Sequence, residues 1–199
     1  KQIASLLIEH YCNLNKTEQA LQANEALSKE KLVSIQDALE ELKQCMPLQY
    51  VLGETEFFGR RFEVTNSVLI PRVETEELVQ YVIQTMQESS APKILDIGTG
   101  SGAIAISLAK ELKHAKVYAS DISQEALQVA RKNASALNAH VEFIHHDILS
   151  GNKNLPSQLD CIVSNPPYVR ESEKVLMHEN VLSYEPHTAL FVSDNDALI

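Results

Sequence analysis

The sequence predicts an α/β protein: a doubly wound, mainly parallel sheet preceded by a small helical domain. From residue 93 onward, short apolar strand-like runs alternate with helix-like runs, which is typical of a parallel sheet with crossover helices. A glycine-rich segment, Gly98–Gly102, directly follows the first strand-like run, where such folds bind ligands. Before residue 48, apolar residues recur only at helical spacing.

Residues 1–48 are predicted to form the helical domain. One helix is expected from Ile3 to Tyr11, and a short second helix begins near Thr17. Ser28 is a suitable N-cap for a longer third helix, and we expect Pro47 to end it. The buried face of this third helix is predicted to comprise Leu32, Ile35, Leu39 and Leu42. Since nothing catalytic is evident here, we predict a binding role for this domain.

Residues 49–72 are predicted to be a hairpin and linker that joins the helical domain to the main domain. Aromatic and β-branched residues surround Gly53 and Gly59, which indicates an antiparallel hairpin with a turn at Gly59-Arg60. Pro71 stops the extended segment, and a helix is expected to follow as far as about Gln87. The inward-facing residues of this helix are predicted to be Leu78, Val79, Val82 and Ile83.

Residues 73–199 are predicted to form the main domain. Strands are expected near 93–97, 116–120, 140–145 and 159–164. Further helices are expected near 102–112, 123–137 and 172–181. The third strand ends in His145-His146, a pair that invites a metal interpretation. Adjacent residues on a strand point to opposite faces and rarely bind one ion, so we predict no metal site.

The segment Gly98–Gly102, called the glycine turn below, has the features of a nucleotide-binding loop. Its alternating glycines permit positive φ angles and close approach of a ligand. Asp121 ends the next strand-like run, where a ribose-binding carboxylate sits in nucleotide-binding folds. A G-x-G-x-x-A pattern beginning at Gly98 also fits a dinucleotide site, so NAD is an alternative, as is a turn without any ligand. Asp96 before the turn and Gly102 within it count against NAD.

The fourth strand runs into Asn165–Tyr168, called the tetrapeptide below, with the sequence Asn-Pro-Pro-Tyr. The two prolines restrict the backbone and hold Asn165 at the carboxyl end of a central strand. The Asn165 side-chain carbonyl and the Pro166 backbone carbonyl can each accept one N–H, which suits a planar amino group. Tyr168 offers an aromatic face beside it. A rigid structural turn is the alternative interpretation.

Composition narrows the classes of function. The net charge of −10 argues against binding to a nucleic-acid backbone, which needs clustered Lys and Arg. The three cysteines are widely spaced and form no C-x-x-C motif, which indicates reduced thiols in a cytoplasmic protein. The sequence contains no apolar run long enough to serve as a membrane anchor. The missing initiator Met suggests that Lys1 is not the natural start.

Four motifs together carry a resemblance to a known family. The glycine turn with Asp96 and the tetrapeptide are shared by class I S-adenosylmethionine-dependent methyltransferases that modify amino groups. The narrower matches are Leu69–Glu76, preceded by the hairpin with Phe57, Gly59 and Phe62, and Tyr184–Leu190. With these, the chain resembles the HemK/PrmC family, the glutamine methyltransferases of peptide chain release factors. The resemblance covers nearly all 199 residues.

The resemblance implies a Rossmann-like fold, S-adenosyl-L-methionine as cofactor, and methyl transfer to the glutamine of a Gly-Gly-Gln motif in class I release factors. From the charge and the residues themselves, we expect no membrane partner, no direct nucleic-acid partner and no metal. Cofactor-binding residues carried over are Asp96, Gly98, Thr99, Gly100, Ser101, Gly102, Asp121, Asp147, Ile148 and Asn165. Substrate-binding residues carried over are Arg72, Glu74, Asn165, Pro166, Pro167 and Tyr168. Of these, Asn165, Pro166 and Tyr168 are the expected catalytic residues.

Some positions depart from the family pattern. Val73 stands where proline is usual, and Ile148 stands where an aromatic residue is frequent, so weaker adenine stacking is expected there. The last strands of the family's seven-stranded sheet are expected to be missing. Three other functions remain as alternatives: an adenine-N6 DNA or other amino-group methyltransferase, an NAD-binding module, and a non-catalytic interaction protein. The DNA enzyme would use the same tetrapeptide on a flipped base and would need a basic groove.

Overall fold

The computed structural model describes residues 2–151 and 154–195. Residue 1 and residues 196–199, at the ends of the predicted domains, lie outside this range. The N-terminal helices are α1 (Gln2–Cys12), α2 (Lys16–Leu21), α3 (Lys29–Lys43) and α4 (Leu48–Leu52). A hairpin of β1 (Glu54–Phe57) and β2 (Arg60–Glu63) follows, and then α5 (Glu74–Met86).

The main domain alternates strands and helices as predicted. In chain order these are β3 (Lys93–Ile97), α6 (Ala103–Glu111), β4 (Lys116–Asp121), α7 (Gln124–Ala136), β5 (Val141–His145) and β6 (Cys161–Ser164). The last described elements are β7 (Val169–Arg170), α8 (Glu179–Tyr184), α9 (His187–Leu190) and β8 (Phe191–Val192). Two 3-10 helices occupy Ile148–Ser150 and Glu171–Leu176, so the helix expected near 172–181 is split.

Four strands form the central parallel sheet in the order β5-β4-β3-β6. The chain first moves outward from β3 to β4 and β5, and then returns to place β6 on the other side of β3. The strand order therefore reverses between β3 and β6, which is where doubly wound sheets bind their ligands. The fold predicted from the alternating pattern is confirmed.

The hairpin belongs to the core of the main domain. Phe57 and Phe62 are almost completely buried and pack edge to face at 6.1 Å. They join one apolar cluster with residues of α5 and the sheet, including Val79 and Ile94. The turn itself is Phe58-Gly59, with φ of 49° and 68°.

The predicted Gly59-Arg60 turn was therefore wrong by one residue. Arg60 already pairs with Phe57 in the hairpin. A two-residue turn whose central residues are both left-handed matches the twist of the two strands.

Two predictions for the helical region were wrong. Leu32 and Leu39 are 46% and 40% exposed, while Ala38 is the buried residue of α3. A small side chain lets neighbouring helices approach closely, so the contact runs along a narrower stripe than the leucine pattern indicated. Pro47 does not end α3, which stops at Lys43; it precedes α4, where its missing N–H costs no hydrogen bond.

All three cysteines are free, with Cys12 buried, Cys45 exposed and Cys161 half-buried. Across residues 2–151 and 154–195, we find no helix with both the length and the apolar character that a bilayer crossing requires.

Candidate active site

The glycine turn and the tetrapeptide leave the sheet side by side. Ile97, the last residue of β3, is in register with Ser164, the last residue of β6. The Ser164 hydroxyl donates to the Ile97 carbonyl at 2.8 Å, which closes the gap between the two strand ends. The two motifs therefore meet at the reversal point of the strand order, although Ile97 and Ser164 are 67 positions apart in the sequence.

The glycine turn is held by hydrogen bonds between backbone groups. The N–H groups of Gly98 and Thr99 donate to the Ser120 carbonyl at 2.9 and 3.0 Å, and Gly102 N–H donates to the Thr99 carbonyl at 2.8 Å. Gly98 and Gly100 have φ of 71° and 55°, which other residues rarely adopt. A Cβ added at either position would meet nothing within 4 Å, so the turn has an open side.

The inner side of the glycine turn packs tightly on α6 and α7. A Cβ at Gly102 would lie 2.8 Å from Ile106 Cδ1 and 3.2 Å from Ala130 Cβ. The Ser101 carbonyl accepts a hydrogen bond of 2.9 Å from the side-chain amide of Asn133. Sequence reasoning missed Asn133, although a polar residue on the apolar face of a predicted helix was a usable signal.

Asp96 is a completely buried acid beneath the turn. Its Oδ2 accepts from the Thr99 hydroxyl at 2.6 Å and from the Ala105 N–H at 3.3 Å. Its Oδ1 has no hydrogen-bond partner within the described part of the chain. Burial raises the pKa of Asp96 from 3.8 to about 7, and the nearby charge of Asp121 adds to this, while the hydrogen bonds from Thr99 and Ala105 oppose it.

Asp121 lies at the end of β4 beside the turn. Its Oδ2 accepts the Gly100 N–H at 2.8 Å, and its Oδ1 accepts the Ser123 N–H at 2.9 Å. A carboxylate oxygen can accept two hydrogen bonds, so both oxygens keep capacity for ligand hydroxyls. The carboxylate thus stands where the sequence placed a ribose-binding group.

Asp147 and Ile148 follow β5, next to the end of β4. The Asp147 side chain accepts the Leu149 N–H at 2.9 Å and so caps a 3-10 helix, while Ile148 is 43% exposed. His145 and His146 each direct Nε2 to a different backbone carbonyl. Among the residues that the structure describes, no cluster of metal-ligating side chains occurs.

The tetrapeptide is half-buried up to Pro167, and Tyr168 is 62% exposed. The Asn165 Nδ2 lies 3.4 Å from the Thr75 hydroxyl oxygen, at the long limit of a hydrogen bond. Among the residues that the structure describes, none donates a hydrogen bond to the Asn165 Oδ1. Thr75 is in the first turn of α5 and was not predicted as a site residue.

Arg72 and Glu185 bring together the two family-specific motifs. Arg72 donates from one guanidinium nitrogen to both Glu185 oxygens, at 2.7 and 2.8 Å, and the Glu185 side chain is 2% exposed. Tyr50 donates to the Val68 carbonyl at 2.6 Å, and burial, together with the charge of Glu185, raises the Tyr50 pKa. The guanidinium predicted to bind substrate is therefore engaged within the chain, whereas Glu74 is exposed.

The residues present fit S-adenosyl-L-methionine. The open glycine backbone at Gly98 and Gly100 leaves space for a ligand, and Asp121 supplies acceptors for a diol. Asp96 lies under the same turn, and its Oδ1 has no hydrogen-bond partner among the described residues.

Comparison with known proteins identifies the family. The profile of the family "PrmC N-terminal domain" matches residues 1–53, and that of "Methyltransferase small domain" matches residues 76–186. A release factor glutamine methyltransferase of Flavobacterium psychrophilum is 48% identical over 98% of this chain and 69% of its own length. The enzyme of that name from Bacteroides thetaiotaomicron is 49% identical over 86% of this chain and 61% of its own length. The chain belongs to the release factor glutamine methyltransferase family.

A solved structure supports the fold of this family member. The hMettl16 catalytic domain, in complex with a MAT2A 3′UTR hairpin, aligns with a TM-score of 0.53 and 17% identity over 69% of this chain and 52% of that one. The predicted methyltransferase class and its cofactor, S-adenosyl-L-methionine, are confirmed by the family. This release factor glutamine methyltransferase family member spans about two thirds of the length of the relatives above.

Proposed function

We propose that the protein transfers a methyl group from S-adenosyl-L-methionine to the side-chain amide nitrogen of the glutamine in the Gly-Gly-Gln motif of class I peptide chain release factors. The observation that carries this proposal is the register of Ile97 with Ser164, because it sets the glycine turn beside the tetrapeptide. The names of the relatives in Flavobacterium and Bacteroides support glutamine as the target.

In this proposal each loop at the sheet edge has one part of the cofactor to bind. The glycine turn holds the methionine part, Asp121 accepts hydrogen bonds from the ribose hydroxyls, and Asp147 with Ile148 lies by the adenine. The exposed Ile148 provides apolar contact in place of an aromatic ring. When bound, the cofactor supplies an electrophilic methyl group on a positively charged sulfur.

The tetrapeptide orients the nucleophile. An amide nitrogen is a poor nucleophile because its lone pair is shared with the carbonyl. The Asn165 Oδ1 and the Pro166 carbonyl each accept one N–H of the substrate amide, which directs the nitrogen lone pair toward the glycine turn. The same acceptors stabilise the positive charge that develops on the nitrogen as it takes the methyl group from sulfur, and the nitrogen then releases one of its two protons to solvent. Tyr168, which is 62% exposed, offers an aromatic face beside these acceptors for the incoming substrate.

Arg72 acts on the substrate through the shape of the site in this proposal. Its ion pair with Glu185 fixes Leu69–Glu76 against Tyr184–Leu190, and Glu74 is left exposed for contact with the partner protein. The helices of residues 1–48 bind the release factor. We propose the cytoplasm as the site of action, because release factors function there.

A methyl-transfer assay with isotope-labelled cofactor tests this function. We expect label on an intact release factor, and none on the same factor with the motif glutamine replaced by Asn. A short Gly-Gly-Gln peptide should be a weaker substrate, because it lacks the surface bound by residues 1–48. Label on adenine in duplex DNA and none on release factors would contradict the proposal. The net charge of −10 already counts against that alternative.

A further inference from the structure

Asn133 on α7 joins the glycine turn to the hairpin through one buried side chain. The residue is 2% exposed. Its Oδ1 accepts the Glu63 N–H at 2.7 Å, and its Nδ2 donates to the Glu63 carbonyl at 2.9 Å. The same Nδ2 also donates to the Ser101 carbonyl at 2.9 Å. Because a primary amide has two N–H donors and one oxygen, each of these groups is engaged.

The register of the hairpin explains why Glu63 takes a side chain as its partner. Glu63 pairs with Glu54, and the next residue, Val64, donates its N–H to the Gly53 carbonyl at 2.9 Å. Bonded and non-bonded pairs alternate along an antiparallel ladder, so the Glu54–Glu63 pair is a non-bonded one. The Glu63 N–H and carbonyl therefore point outward, and Asn133 meets both as a neighbouring strand would.

The other end of this connection is the cofactor loop. Ser101 is 2% exposed, and its neighbour Gly102 is in close contact with Ala130, one turn before Asn133 on α7. One face of α7 thus fixes the inner side of the glycine turn and the outer edge of β2 together. Val64, the residue after Glu63, is bonded to Gly53, which caps the end of α4, so the contacts run from that helix to the glycine turn.

We propose that Asn133 is a positioning residue for cofactor binding: its hydrogen bond to Ser101 holds the glycine turn in the conformation that accepts the ligand, and its bonds to Glu63 couple that turn to the hairpin. This inference rests on the proposed function in that it takes the glycine turn as the S-adenosylmethionine site. It assigns no contact between Asn133 and the ligand.

Calorimetric titration with S-adenosylhomocysteine, which has no methyl group to transfer, tests the role of Asn133. Asn133→Asp keeps the acceptor for Glu63 N–H but removes both donors, and we expect its affinity to fall about tenfold. Lys132→Ala is the matched control, since Lys132 also contacts Glu63, through an exposed ion pair of 3.0 Å, without touching the turn. The control should bind like the unaltered protein. Unchanged affinity in folded Asn133→Asp would overturn the inference.

Hydrogen exchange on the unaltered protein supplies a test that needs no variant. Saturation with S-adenosylhomocysteine should slow exchange of the Gly102 N–H and, through Asn133, of the Glu63 N–H as well. Slower exchange at Gly102 with no change at Glu63 would contradict the coupling. Absence of any binding by the unaltered protein would contradict the proposed function, and this inference with it.

Discussion

Two loops leave the sheet where its strand order reverses, and they are held in different ways. The glycine turn is fixed from several sides by hydrogen bonds from the chain itself, including those to Ser120 and from Asn133. The side chain of Asn165, in the tetrapeptide, has only the long contact of 3.4 Å to Thr75 among the described residues. One half of the candidate site is therefore organised before any ligand arrives. In the other half, no described residue donates to the Asn165 Oδ1, as the proposed binding of an amide requires.

Removal of Asn165 should have the largest effect and should be confined to the tetrapeptide half. Asn165→Ala removes an acceptor that orients the nucleophile, so turnover should fall on the order of a hundred-fold or more. Affinity for S-adenosylhomocysteine should fall far less than turnover, because the glycine turn and Asp121 are intact. Steady-state kinetics and calorimetry measure the two quantities separately.

Asn165→Asp is the informative companion, since a carboxylate can still accept an N–H. Partial activity in the Asp variant, with near-complete loss in the Ala variant, would support methylation of an amide or amino group. Full activity in the Ala variant would mean that Asn165 is only a turn residue.

Removal of Asp121 should affect the glycine-turn half instead. Hydrogen bonds to a charged group contribute about 1.5–3 kcal/mol, so Asp121→Ala should weaken S-adenosylhomocysteine binding roughly 10- to 150-fold. Glu125→Ala, which removes an exposed acid in the first turn of α7, serves as the control and should bind normally. Titration with NAD in parallel checks the cofactor. Tighter binding of NAD than of S-adenosylhomocysteine would overturn the assignment.

Asp96, beneath the glycine turn, makes the stability of the folded protein depend on pH. Its pKa in the folded protein, about 7, lies above the ordinary value of 3.8, so the folded state holds the proton more tightly. The proton on Asp96 stabilises the folded protein fully below pH 3.8. This contribution to the free energy of unfolding is lost as the pH rises from there through 7. Between pH 6 and pH 8 the loss in the free energy of unfolding should be on the order of 1 kcal/mol.

Urea denaturation of the ligand-free protein at pH 6 and pH 8 measures this loss. Asp96→Asn cannot ionise there and keeps an acceptor for the Thr99 hydroxyl, so its stability should fall by less over the same interval. Equal pH dependence in the two proteins would show that Asp96 does not titrate in this range.

Thr75→Val should have the smallest effect and tests how firmly Asn165 is oriented. Because the contact at 3.4 Å is weak, turnover should fall only about two- to fivefold, with no change in cofactor affinity. Thr85→Val places the same substitution at the other end of α5 and should be neutral. A loss as large as that of Asn165→Ala would mean that the tetrapeptide is held as rigidly as the glycine turn.

Sequence patterns predicted the strands well because each strand is a short apolar run ended by a recognisable turn. The same property placed Asp96, the glycine turn, Asp121 and Asn165 at one edge of the sheet, since all of them lie at or just beyond the carboxyl ends of parallel strands. The roles of these side chains toward ligand and substrate stay predictions.

The contacts that organise the site could not be predicted from local sequence patterns. Asn133 meets Glu63, and Arg72 meets Glu185, across separations of 70 and 113 residues, which local patterns do not encode. The predicted burial of the α3 leucines was wrong for a related reason. A helical repeat of apolar residues gives an apolar face, but the neighbouring helices decide how much of that face is covered.

The close packing of Gly102 limits how this site can evolve. A single methyl group there would press on both Ile106 and Ala130, so a change at residue 102 disturbs the core as well as the ligand loop. Gly98 and Gly100 have positive φ but open space where a Cβ would lie, and among the described residues the Asp121 side chain accepts two N–H groups. Adaptation to a different cofactor is therefore expected to begin at Asp121, with Gly102 among the last positions to vary.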